Sequence, residues 1–247
     1  MIVSLSGIDC SGKSTQLERL GTALTERGHR VRHVWFRPGY SELIGVLRRQ
    51  VRRVRPSALP TSDQPQARAR AFSKPGVRRA WVAVGTLDTL LSLGARVRWL
   101  SLRGYTVLCD RYVEDAILDL TLRFPDLVDP DGRLRQTLVR ACPRPDAAIL
   151  LTLSREEVAA RALAKAEPFE DPPEIRERRY DAYMAMAAQG RFTVIDAEQP
   201  IEAVVVHIDA RFAEELPADE IEAHEGAATF PGSVDEDAER VDVTVEI

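Results

Sequence analysis

The sequence predicts an α/β fold built on a five-stranded parallel sheet that is doubly wound, with helices on both of its faces. Five β-like runs recur along the chain, and helix-like segments separate them. Strands that alternate with helices need crossover connections, which make the sheet parallel and bury both of its faces. The predicted strands are Ile2–Ser6, Val31–Phe36, Thr106–Cys109, Ala147–Leu153 and Phe192–Ile195.

A glycine-rich loop and then a helix follow the first strand. The segment Ser14–Arg27 carries Leu17, Leu20 and Leu24, which recur every three or four residues as on one face of a helix. Gly28 comes directly after this segment and is a typical helix stop. The chain therefore opens with the order strand, loop and helix.

The loop has the spacing Gly7-x-x-x-x-Gly12-Lys13-Ser14, which fits a phosphate-binding loop, or P-loop. Glycines let the backbone curl so that several N–H groups face one anion, and the helix adds the positive end of its dipole. We expect Lys13 to reach the β- and γ-phosphates of ATP, and the Ser14 hydroxyl to ligate Mg²⁺. The fold is therefore predicted to be of the P-loop NTPase type. The predicted ATP-binding residues are Gly7, Asp9, Cys10, Ser11, Gly12, Lys13, Ser14 and Thr15.

Composition argues against several other classes of protein. A chain of 247 residues, 45% of them apolar, is long enough for one large domain with a full core. We expect no signal peptide, because the N-terminus has no basic region followed by an apolar one. We expect no membrane span, because no apolar run reaches the roughly 18 residues that a span needs. Three scattered cysteines predict neither a disulfide framework nor a zinc site. The predicted location is the cytoplasm.

Charge is distributed unevenly along the chain. Residues 213–247 have twelve acidic residues and one arginine, a net charge of −11, whereas residues 1–212 have 33 basic and 26 acidic residues, a net charge of +7. This division predicts one folded domain over residues 1–212 and an acidic, flexible C-terminal tail over residues 213–247.

A basic insert is predicted over residues 40–80. From Arg37 to Arg79 there are eleven basic residues against two acidic ones, and five arginines crowd the stretch 48–55. Three interpretations remain open for this stretch: a solvated basic face, a surface for a polyanion, and a docking surface for the acidic tail. We expect no nucleic acid partner, although the basic stretch 48–55 keeps nucleic acid binding as an open alternative.

Two sequence blocks follow predicted strands, at the edge where the carboxyl ends of parallel strands meet: Gly7–Thr15 and the triplet Asp110-Arg111-Tyr112. A third block, Arg144-Pro145-Asp146, precedes the fourth strand. Their order and spacing resemble the thymidylate kinases and related nucleoside monophosphate kinases, and the resemblance covers about residues 1–212. An aspartate inside the loop combined with an Asp-Arg-Tyr triplet is more specific than the loop alone, which would indicate only an NTPase.

The resemblance implies that ATP phosphorylates a nucleoside monophosphate or a related phosphorylated small molecule. By resemblance, Asp110 lies near the metal and Arg111 holds the acceptor phosphate. Asp9 lies where the loop aspartate of the family meets the acceptor sugar. The implied acceptor-binding residues are Asp9, Arg37, Arg111 and Tyr112, and the implied Mg²⁺ ligands are Ser14 and Asp110.

The resemblance also implies a mobile lid over ATP, which we assign to residues 155–179. Some relatives carry an arginine in the loop, but Cys10 and Ser11 stand at these variable positions, so the lid should supply the charge. Arg161 fits the lid spacing best and joins Lys13, Asp110 and Arg111 as an implied catalytic residue. Other lid candidates are Arg155, Lys165, Arg176, Arg178 and Arg179.

The base-reading positions depart from the thymidylate kinase pattern. The expected Asp-Arg pair is Asp88-Thr89, the expected aromatic is Gly85, and the later Ser and Tyr-Gln positions are Asp115, Asp119 and Leu120. A pocket that bonds a base edge discriminates strongly, so this loss argues against efficient phosphorylation of dTMP. Two alternatives stay open: a genuine dTMP kinase with a rearranged base pocket, and a non-catalytic nucleotide-binding regulatory protein. Membership of this family would also allow a homodimer.

Overall fold

Strands and helices alternate along the residues that the structure, a computed structural model, describes: 1–41, 44–46, 49–50, 53, 72–165, 173–200 and 203–204. The strands are β1 (Ile2–Gly7), β2 (Val31–Trp35), β3 (Thr106–Asp110), β4 (Ala147–Thr152) and β5 (Thr193–Asp196). The helices are α1 (Lys13–Glu26), α2 (Pro75–Thr89), α3 (Val97–Leu102), α4 (Val113–Arg123), α5 (Arg133–Ala141), α6 (Arg155–Lys165) and α7 (Pro173–Ala188). A π-helical segment, Leu90–Arg96, joins α2 to α3.

The five strands form one sheet in the order β2-β3-β1-β4-β5, and every neighbouring pair is parallel. The predicted fold class is therefore confirmed, and each predicted strand is present with ends that differ by at most one residue. Because all strands point the same way, their carboxyl ends meet at one edge of the sheet, where ligands bind in folds of this kind.

Helices cover both faces of the sheet. Successive residues of a strand point to opposite faces, and Ile2 and Val3 belong to different apolar clusters. The cluster around Val3 contains Leu17, Leu20 and Leu24 of α1, which confirms the predicted apolar face of this helix. The cluster around Ile2 contains residues from the π-helical segment through α5.

Other predictions fall partly on residues that the structure does not describe. The described part of the segment that we assign to the lid, residues 155–179, contains α6 and the first residues of α7. The C-terminal tail 213–247 and most of residues 42–71 in the basic insert lie outside the described residues. Within the described part of the chain, no helix is long and apolar enough to cross a membrane.

Leu24 provides a test of the α1 packing. It is fully buried between α1 and the sheet, whereas Leu102 at the end of α3 is 82% exposed. Leu24→Ala should lower the free energy of unfolding by about 2–5 kcal/mol, because it removes buried apolar contacts and leaves a cavity. Leu102→Ala makes the same change at an exposed site, and it should change the free energy of unfolding by no more than about 0.5 kcal/mol. Urea unfolding of both variants measures the difference, and equal losses would contradict the assigned packing.

Candidate active site

The phosphate-binding loop joins β1 to α1 at the carboxyl edge of the sheet. Gly7 has a φ of 146°, and a Cβ atom there would lie 2.6 Å from the Leu151 carbonyl oxygen. Cys10 and Gly12 also have positive φ angles, of 67° and 85°. The loop therefore turns tightly against β4, and its first glycine is required both for its backbone angle and for lack of space.

Lys13 is buried beneath this loop. Its ammonium donates to the carbonyl oxygens of Gly7 and Ile8, at 3.0 and 2.7 Å. Burial and the neighbouring Arg111 guanidinium lower the pKa of Lys13 to about 8. The charge that should meet the ATP phosphates is therefore held in place before any ligand arrives.

Ser14 and Asp110 meet across the gap between α1 and β3. The Ser14 hydroxyl donates to Oδ2 of Asp110 at 2.9 Å, while the other carboxylate oxygen, Oδ1, is buried and accepts no hydrogen bond from the described residues. A hydroxyl and a carboxylate with a spare oxygen are the hard ligands that Mg²⁺ prefers beside substrate phosphates. These two residues therefore fit the predicted metal site.

Arg111 follows Asp110 and forms an ion pair with Asp9 of the loop. Its backbone has the left-handed φ of 72°, and its N–H donates to the Leu5 carbonyl oxygen at 3.0 Å. Burial opposes the ionisation of Asp9, but four nearby cations outweigh it and lower its pKa. The cations are Arg111, Lys13, Arg179 and Arg37.

Arg161 lies beside the other end of the loop. It lines a cavity of about 150 Å³ together with Ser11, Gly12 and Thr15. Its guanidinium donates to Glu157 at 2.6 Å and to the Ala197 carbonyl oxygen at 3.1 Å. The structure thus puts the predicted lid arginine next to the start of α1, while its role in catalysis stays a prediction.

Arg37 reaches the site through Asp119 of α4. Its Nε lies 3.4 Å from Asp119 Oδ2, and the buried Arg179 of α7 bonds the other oxygen of this carboxylate. Arg37 therefore lies on the same side of the site as Arg111.

Tyr112 lies apart from these residues. Its hydroxyl donates to the Pro143 carbonyl oxygen at 2.7 Å, and it lines a separate cavity of about 930 Å³ with Ser4 and Ser6. The described structure gives it no contact with the loop, so its predicted acceptor role stays a prediction.

Comparison with known proteins agrees with this geometry. Residues 97–208, which include Asp110 and Arg111, match the family model described as thymidylate kinase. The thymidylate kinase of Geobacter sulfurreducens is 25% identical over 226 residues, an alignment that covers 83% of this chain and 93% of that protein. The chain is therefore similar to the thymidylate kinases in both comparisons. Both matches support the predicted enzyme class, an ATP-dependent nucleoside monophosphate kinase.

The positions that the resemblance aligns with base-reading residues make contacts within the protein. A Cβ atom at Gly85 would lie 3.0 Å from Leu120 Cδ2, so α2 and α4 touch where an aromatic ring was expected. The Asp88 carboxylate is buried and accepts hydrogen bonds from the Gly39 N–H at 2.8 Å and from Ser41. Thr89 is buried and donates to the Gly85 carbonyl oxygen at 2.7 Å.

Sequence reasoning missed several members of the site. Tyr183 and Asp115 were not predicted to contribute, and Arg179 was predicted only as a lid candidate. Their spacing was the available signal: Asp115 and Asp119, like Arg179 and Tyr183, are four residues apart and therefore lie on one face of a helix. This spacing does not predict that the face of α4 contacts the face of α7.

The lowered pKa of Lys13 predicts how ATP binding depends on pH. ATP phosphates favour the charged ammonium, which the ligand-free protein loses as the pH rises through about 8. Apparent ATP affinity should therefore fall about tenfold between pH 7 and pH 9, because the fraction of the protein with a charged Lys13 falls by that factor. Calorimetric titration at the two pH values measures this change.

Lys13→Ala is the control for this titration, because it removes the titrating group but leaves the ionisation of ATP unchanged. It should bind ATP more weakly at both pH values, with no further loss between them. A parallel loss in both proteins would assign the pH dependence to another group.

Proposed function

We propose that this thymidylate kinase-like protein transfers the γ-phosphoryl group of ATP to a phosphorylated acceptor, a nucleoside monophosphate or a related small molecule. The observation that carries the proposal is the ion pair between Asp9 and Arg111. It joins the phosphate-binding loop, which suits the donor, to an arginine that suits an acceptor phosphate.

Phosphoryl transfer depends mainly on alignment of the two substrates and on positive charge around the moving group. Lys13 and Arg111 are both buried, so their charges are already oriented and need little reorganisation. A regulatory switch has no need of a second buried cation facing an acceptor. This arrangement therefore favours an enzyme over a regulatory protein.

Ser14 and Asp110 would hold Mg²⁺ with the ATP phosphates, and the ion would neutralise part of their charge. Arg161 lines the cavity beside Gly12 and would act from the donor side. We assign Arg37 to the acceptor side together with Arg111, because it forms an ion pair with Asp119.

We further propose that the acceptor is not read as thymine is read in thymidylate kinases. Gly85 and Leu120 are in contact where a stacking ring was expected, and Thr89 bonds its own helix. A site without partners for a base edge gains little from a pyrimidine. The acceptor is therefore a nucleoside monophosphate bound differently, or a phosphorylated molecule without that base.

The first test is ADP release from ATP and Mg²⁺ across a panel of nucleoside monophosphates that includes dTMP. We expect one acceptor to stimulate ADP release strongly, and Lys13→Ala to abolish the stimulation because it removes the charge on the donor phosphates. Arg111→Lys keeps a charge but loses the planar guanidinium, so it should raise the acceptor KM more than the ATP KM.

Efficient turnover of dTMP would contradict our argument about the base site and support a genuine dTMP kinase with a rearranged pocket. ATP binding without turnover of any acceptor would contradict the proposed transfer to a nucleotide. It would favour a regulatory protein or an acceptor outside the panel.

Leu120 should limit the size of the acceptor. Leu120→Ala removes the contact with Gly85, so kcat/KM for bulkier acceptors should rise about tenfold relative to the best acceptor of the unmodified protein. Leu122→Ala removes an equally buried leucine of α4 that belongs to a different apolar cluster, and it should leave the ratio unchanged. The same ratio in both variants would show that Leu120 only fills the core.

The cytoplasmic location, the homodimer and the partner of the basic stretch 48–55 stay predictions. Arg49 and Arg53, the arginines of this stretch whose side chains the structure describes, are exposed. This exposure is compatible with each of the three interpretations of the stretch.

A further inference from the structure

Two polar contacts connect α4 to α7. Tyr183 donates to Oδ1 of Asp115 at 2.6 Å, and Arg179 donates to Oδ1 of Asp119. The two carboxylates are four residues apart on α4, and their partners are four residues apart on α7. The contacts therefore form two successive rungs between helices of opposite direction, which we call the α4–α7 ladder.

The ladder is buried. Asp115, Asp119, Arg179 and Tyr183 are each at least nine-tenths buried. Burying a polar group costs free energy unless the group is paired, so apolar side chains would join two helices without this cost. Packing alone therefore does not explain why four facing positions have polar side chains.

Each rung ends on an arginine of the acceptor side. The Tyr183 hydroxyl accepts a hydrogen bond from Nη1 of Arg111 at 3.2 Å while it donates to Asp115. The second carboxylate oxygen of Asp119 lies 3.4 Å from Nε of Arg37. The ladder therefore hydrogen-bonds Arg111 and forms a longer ion pair with Arg37.

The first rung is also anchored to the strand that leads into the phosphate-binding loop. Asp115 Oδ2 accepts hydrogen bonds from the Ser6 hydroxyl at 2.6 Å and from the Tyr112 N–H at 2.8 Å. Burial and the Asp115 carboxylate keep the pKa of Tyr183 well above its ordinary value, so the hydroxyl remains a donor. The contacts thus run without a break from Ser6 to Arg111.

We propose that the α4–α7 ladder positions the acceptor-phosphate arginines, with Tyr183 as the positioning residue for Arg111; the proposal rests on the function proposed above. Asp9 and Tyr183 each bond one Nη atom of Arg111. An acceptor phosphate that competes with Asp9 for this guanidinium leaves the Tyr183 contact in place. Tyr183 therefore fixes the plane of the guanidinium.

Tyr183→Phe tests the proposal because it removes one hydroxyl and keeps the ring. Tyr180→Phe is the matched control: it lies on the same helix, and its hydroxyl donates to the Leu153 carbonyl oxygen at 3.2 Å, away from Arg111. With the acceptor found in the panel, Tyr183→Phe should raise the acceptor KM about tenfold, the usual effect of losing a hydrogen bond to a charged group. The ATP KM should stay within about twofold, and Tyr180→Phe should change neither constant.

A second measurement does not depend on the acceptor. Inorganic phosphate serves as the probe, titrated into the full-length chain already loaded with ADP and Mg²⁺, and followed by phosphorus NMR. We expect phosphate to bind about tenfold more weakly to Tyr183→Phe than to the unmodified protein and Tyr180→Phe. Equal affinities in all three proteins, or equal losses in both variants, would overturn the proposal. If no acceptor is turned over but this difference is present, the proposed function fails and the positioning role stands.

Discussion

The parallel pairing of β1 with β3 is the interaction on which the site depends. Its register puts Leu5 beside Asp110, and the Arg111 N–H continues the pairing onto the Leu5 carbonyl oxygen. The end of β3 therefore stands next to the loop that begins at Gly7. A slip of one residue would turn every side chain of β3 to the opposite face and separate Asp110 from Ser14.

Buried charge imposes the second constraint. Lys13, Arg111 and Arg179 are all buried, and a buried cation is tolerated only when carboxylates or carbonyl oxygens compensate for its lost hydration. Asp9 and Asp119 provide the carboxylates, while carbonyl oxygens surround the Lys13 ammonium. These partners hold the cations in fixed orientations, which is the preorganisation that the proposed phosphoryl transfer would require.

The two halves of the site differ in how closely they match the pattern of a P-loop kinase. The donor half keeps the loop, the lysine and the Ser14–Asp110 contact expected of a P-loop kinase. In the half that we propose for the acceptor, α2 contacts α4 at Gly85, and charged side chains of α4 bond α7. These contacts are linked in space, because Asp119 and Leu120 are adjacent residues of one helix that faces both neighbours.

Local periodicity and glycines at fixed spacing were sufficient to predict the five strands, α1 and the loop. The sequence also predicted that the loop and Asp110 lie at one edge of the sheet, since carboxyl ends of parallel strands share it. It did not predict that Tyr183 bonds Asp115, that Arg179 bonds Asp119, or that Tyr112 turns to Pro143. Those contacts join residues about 30 to 70 positions apart, and they depend on how helices pack on the sheet, which local pattern does not encode.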